Sequence, residues 1–80
     1  MSARMSNRKF TGSYQDLQDT VLLTGIDGEW REINENHKQY KAETGAVLNW
    51  WLSSKTIQFQ GGKDKGSRFE AAFWKVRLHS

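Results

Sequence analysis

The chain of 80 residues contains no cysteine. That excludes a disulfide scaffold, a thiolate zinc site and a cysteine nucleophile, and it is compatible with a reducing compartment. Long hydrophobic runs are also missing. The longest, Val21-Leu22-Leu23 and Ala46-Val47-Leu48, fall far short of the ~18–20 residues that a membrane span needs. No apolar stretch follows the basic start, so neither a secretion signal nor a membrane partner is expected, and the expected location is the cytoplasm. No phosphate-cradling Gly-rich loop, dinucleotide fingerprint or Ser-His-Asp arrangement can be assembled from the residues present. The sequence therefore predicts no cofactor and no enzymatic activity.

What the chain does have is rings: four Trp, four Phe and two Tyr. A domain this small buries only about 60% of the surface its unfolded chain exposes. Aromatic side chains bury roughly 150–250 Å² each and compensate for the short chain. Charge is distributed in zones. Residues 1–13 carry Arg4, Arg8 and Lys9 and no acid. Residues 14–36 carry Asp16, Asp19, Asp27, Glu29, Glu32 and Glu35 against Arg31 alone. Residues 37–80 carry eight Lys/Arg against Glu43, Asp64 and Glu70, and the whole sums to +3. An acidic front and a basic rear make a dipolar domain whose basic half suits an anionic partner.

Residues 1–12 are poor in aliphatics, lack periodicity and predict a disordered basic tail ahead of one domain over residues 13–80. Ser13 followed by Asp16 is an N-cap signature. Tyr14, Leu17, Val21 and Leu22 then fall on one helical face, and Gly25 is a stop, which predicts a helix over residues 14–24. Residues 29–33 read as either a short strand or an irregular link. Three short runs follow, residues 37–43, 46–52 and 56–60, separated by turns at residues 44–45 and 53–55. Alternation places Tyr40, Ala42, Leu48, Trp50, Leu52, Ile57 and Phe59 on one apolar face. Gln39, Lys41, Val47, Asn49, Trp51, Thr56, Gln58 and Gln60 take the other. After a Gly- and Lys-containing loop, Ser67 and Glu70 have capping-box spacing, and Phe69, Ala72, Phe73 and Val76 form a core-facing helical stripe. The expected fold is α+β, a single two-layer αβββα domain with a three-stranded antiparallel meander.

This order, with residues 62–72 (Gly-Lys-Asp-Lys-Gly-Ser-Arg-Phe-Glu-Ala-Ala) opening the second helix, resembles the double-stranded RNA-binding domain and its relatives. The resemblance implies that Lys63, Lys65 and Arg68 lie over phosphates and that the turn at residues 43–45 probes a minor groove.

Trp50 and Trp51 face opposite ways on a strand, so one serves the core and the other lies on the outer sheet face. Trp51, flanked by Lys41, Asn49, Gln58 and Gln60, would stack on a nucleobase, anchor a protein partner or a second copy of the chain, or sit beneath another part of the chain. Trp30 is expected at the edge of the meander. The acids Asp27, Glu29, Glu32 and Glu35, with Lys38 or Lys41 beside them, are the nearest thing to a Mg²⁺ site, and His37 and His79 to an acid–base pair. Neither set has a spacing that defines such chemistry. The function expected is thus that of a small non-enzymatic protein that binds RNA or DNA through its basic C-terminal half, with Lys41, Trp51, Lys55, Lys63, Lys65, Arg68 and Lys75 as contacts. The alternative is a protein-interaction or regulatory module, of the size and basicity of a phage or plasmid accessory protein, acting through the face around Trp51, as a homodimer or with another protein.

Overall fold

The computed structural model of the chain describes residues 8–78. A two-residue strand β1 (Arg8–Lys9) leads into helix α1 (Tyr14–Leu23). A meander follows, β2 (Gly28–Glu32), β3 (His37–Ala42), β4 (Val47–Trp51) and β5 (Thr56–Gln60), and helix α2 (Lys65–Leu78) closes the chain. The strands are ordered β1-β5-β4-β3-β2, antiparallel throughout. Both helices contribute to one core, Leu17 and Val21 from α1 and Phe69 and Phe73 from α2, packed on Tyr40, Leu48, Trp50 and Ile57 of the sheet. The result is a two-layer α+β domain.

Two expectations are corrected. The meander has four strands, not three, because residues 28–32 pair fully with β3 from Gly28↔Ala42 to Glu32↔Lys38. The ambiguity in this segment came from its charge. Glu29, Arg31 and Glu32 are tolerable in a strand because β2 is an edge, where only Trp30 need be apolar. The basic tail also ends sooner than residue 12. Arg8 and Lys9 pair with Ile57 and Thr56, and Phe10 is 2% exposed. Its ring meets Trp50 and Phe73 edge-on at 5.8 and 5.7 Å, and its carbonyl accepts the buried Trp50 indole N–H at 3.1 Å. An isolated Phe among polar residues carries no periodicity, so its burial was not visible in the sequence. The rest of the expected tail, residues 1–7 with Arg4, lies outside the described residues.

Local signals explain α1 well. Ser13 Oγ accepts from the Asp16 N–H at 3.1 Å while Asp16 Oδ2 accepts from the Ser13 N–H at 3.3 Å, a complete capping box. Gly25 takes φ +76° just beyond the helix and donates its N–H to Leu22 O, the usual glycine stop. Leu22 itself departs from the expected apolar face and is 76% exposed. Helix α2 begins two residues before the expected capping box. Asp64, not Ser67, precedes it, the Asp64 carbonyl accepting from the Arg68 N–H at 2.9 Å. The early start is permitted by Gly66, where an added Cβ would lie 2.7 Å from the Gln60 carbonyl carbon, so the first turn presses directly on β5.

The expected alternation holds across the sheet. Tyr40, Ala42, Leu48, Trp50 and Ile57 are buried on the helix side, with Leu52 and Phe59 partly buried against them. Lys38 joins this inner face opposite Trp50 and is 7% exposed. Its ammonium reaches Glu32 Oε1 at 3.2 Å and lies 5.3 Å from the Tyr14 ring centroid. A buried lysine is tolerable only with such partners.

Candidate nucleic-acid interface

The outer face of the sheet, turned away from both helices, forms a regular grid. The turn at residues 43–45, with Gly45 at φ +103°, sets the β3–β4 register. One row runs Arg31, Gln39, Asn49, Gln58 across β2, β3, β4 and β5. A second runs Glu29, Lys41, Val47, Gln60. At the other end His37 lies opposite Trp51, and Lys9 opposite Thr56.

The centre of this face is ordered by side-chain contacts. The His37 and Trp51 rings stack at 4.5 Å with their planes 18° apart. His37 Nε2 lies 2.9 Å from Asn49 Oδ1, which also accepts from Gln39 Nε2 at 3.0 Å. With the amide in that orientation, the shared acceptor places the proton on His37 Nε2. Asn49 is only 5% exposed although no helix covers it, because these neighbours close over it. Trp51 and His37 remain half-buried, so part of each ring is open to solvent. Lys41 is exposed beside the amide row. Lys9, at the opposite edge, is exposed and donates to Ser54 O at 2.9 Å.

The basic residues expected as contacts do not form one patch. Lys41 and Trp51 share the outer sheet face. Lys63, Lys65 and Arg68 gather on the other side of the sheet, at the start of α2. There the Lys65 side chain passes Gly45. Arg68, however, is paired with Asp64 at 3.0 Å. The nearby α1 presents Gln15, Gln18 and Asp19 to a hollow rimmed by Asp27 and Glu43, which makes this flank acidic. Lys75 lies ten residues beyond Lys65, about 15 Å along the helix. Lys55 belongs to the opposite end of the sheet, at φ +62°, its ammonium 5.4 Å from the Trp50 ring centroid. Lys63 is also left-handed, at φ +56°.

The carboxylates considered for a metal diverge: Glu29 is on the outer face, Glu32 holds Lys38, and Asp27 caps the other end of β2. Among the described residues no three Asp, Glu or His side chains converge. His79 lies outside the described residues, and His37 is occupied by Trp51 and Asn49. Neither residue alone signals the His37–Trp51 pair in the sequence, since the two lie on different strands. The three-residue turn implies the register that puts them side by side. Among the described residues no helix is long and apolar enough to cross a membrane. A scan of family models and searches of curated proteins and of solved structures found no match to this chain.

Proposed function

We propose that this domain is a non-enzymatic binder of single-stranded nucleic acid and that the strand lies across the outer face of the sheet. The observation that carries the reading is the His37–Trp51 stack beside a row of amides on a face the helices leave open. Unpaired bases expose π-faces and hydrogen-bonding edges, and proteins that bind them supply aromatic platforms, amides and flanking cations. Trp51 and His37 offer the rings, Gln39 and Gln58 the amides, and Lys41 and Lys9 the phosphate contacts, while buried Asn49 holds His37 and Gln39 in place. The cations of α2 and the loop before it, Lys63, Lys65, Arg68 and Lys75, lie on the opposite layer and act through the long-range field that draws a polyanion in. Duplex binding is the weaker reading, because Asp19, Asp27 and Glu43 make the flank beside the start of α2 acidic and Arg68 is already paired with Asp64.

Titration of a labelled oligonucleotide at about 50 mM salt, where phosphate contacts are strong, tests this. Single strands should bind more tightly than duplexes, and Trp51→Ala should weaken single-strand binding by about 5- to 150-fold, the equivalent of 1–3 kcal/mol for one lost stack. The double change Lys63→Glu, Lys65→Glu should lower affinity modestly and alike for all sequences. No binding of single-stranded RNA or DNA overturns the reading. So does full affinity in Trp51→Ala with loss of binding in the double variant, which would move the site to α2.

A further inference from the structure

Among the described residues β2 is the last strand of the sheet, and its free edge has a pattern that matches itself. In an antiparallel ladder the main chain of alternate residues points to the neighbouring strand and that of the intervening residues away from it. The Ile33 N–H donates to His37 O at 3.0 Å and the Glu43 N–H to Asp27 O at 2.8 Å, so Glu29 and Arg31, in phase with residues 27 and 33, face β3. Gly28, Trp30 and Glu32 therefore direct their N–H and C=O groups outward from the sheet. The side chains of Glu29 and Arg31 are exposed on the outer face, and neither makes a hydrogen bond or ion pair with another described residue.

We propose that the chain forms a two-fold dimer in which β2 pairs antiparallel with β2 of a second copy, centred on Trp30. In that register Trp30 faces Trp30, and Gly28 faces Glu32, so the three residues with outward main-chain groups satisfy one another. Glu29 then falls opposite Arg31 in both directions. These are non-hydrogen-bonded sites, where opposing side chains come closest. The charges also select the register. A slip that preserves the hydrogen bonding sets Glu29 against Glu29 in one direction and Arg31 against Arg31 in the other. Charged side chains on an edge strand ordinarily discourage pairing with another chain. This one carries complementary charges, spaced to pair with a copy of itself.

The surface above the edge fits the same occupant. The two-fold axis is perpendicular to the sheet, so both copies keep their helices on one side. A hollow of about 710 Å³ opens there, lined by Gln18, Asp19 and Leu22 of α1 and by Trp30. The second copy's α1 approaches across it and gives exposed Leu22 an apolar neighbour. Asp19, Asp27 and Glu43 at the rim oppose the approach, which makes the dimer weak and dependent on concentration.

Light scattering or sedimentation of the full chain, without nucleic acid, over about a hundredfold range of concentration reads the mass, and amide hydrogen exchange reads the edge. The mass should rise from 9.3 kDa towards twice that value, and the Gly28, Trp30 and Glu32 amides should gain protection with concentration while Glu29 and Arg31 do not. Arg31→Glu and Glu29→Arg, both at exposed positions, should each remain monomeric. The double variant Glu29→Arg, Arg31→Glu restores complementary pairs and should dimerise again. Trp51→Ala should leave the mass curve unchanged. A 9.3 kDa mass at every concentration overturns the proposal. So do a dimer that survives Arg31→Glu, a double variant no better than the single ones, and a dimer lost in Trp51→Ala, which would place the interface on the outer face.

Discussion

Two tyrosines show how individual groups set the conditions under which the fold holds. The Tyr40 hydroxyl donates to Ile26 O at 2.7 Å. Burial, with the negative charges of Asp27 and Glu43 nearby, raises its pKa above the ordinary tyrosine value. Tyr14 is raised by burial and by Glu32. In each case the folded chain holds a proton that the unfolded chain releases near pH 10, so the contribution is complete below about pH 10 and is lost as pH rises through the folded value. Urea midpoints should therefore fall as pH rises from 9 to 11. Tyr40→Phe should be less stable at neutral pH by about 1 kcal/mol for the lost hydrogen bond and should decline less steeply above pH 10. Equal slopes in the two proteins would show that the alkaline loss comes from other groups, such as the lysines.

At the scale of elements, periodicity was the reliable guide, and it failed where an element is short or at an edge. Both helices, the pairing of β4 with β3 and β5, and the split between Trp50 and Trp51 follow from spacing alone, because each has a continuous apolar stripe. β2 offers a single ring among charges, and β1 a pair of residues, too few for any period to register. The candidate site was half legible. Trp51 and Lys41 come from alternation, whereas the His37 stack and the Lys9 position depend on cross-strand register, which no one strand contains. Helix α2 supplies the sharpest test of the layer arrangement. Phe73 is fully buried, 5.4 Å from the Phe59 ring and 5.7 Å from the Phe10 ring. Phe73→Ala should cost about 3–5 kcal/mol, a large share of what a chain this short possesses. A melting temperature unchanged in that variant would remove α2 from the core.

Across the whole molecule, the meander is a chain of neighbours. Each of its strands pairs with the next through a short turn, so most of the sheet forms from contacts close in sequence. Phe10 is one of the exceptions, with β1 and α1, since it joins Trp50 and Phe73 from the far end of the chain. Contacts that close long loops tend to come late in folding. Phe10 should thus be docked after the hairpins and α2 have met, and it should leave first when the domain opens. In stopped-flow measurements across urea, Phe10→Ala should accelerate unfolding by nearly the full equilibrium loss, about 3–5 kcal/mol, and leave the refolding rate almost unchanged. A slowed refolding limb would instead put Phe10 in the nucleus. With refolding unchanged, the Phe10 ring acts on the lifetime of the native state and not on its formation: a clasp that contributes little to how fast the domain assembles and much to how long it stays assembled.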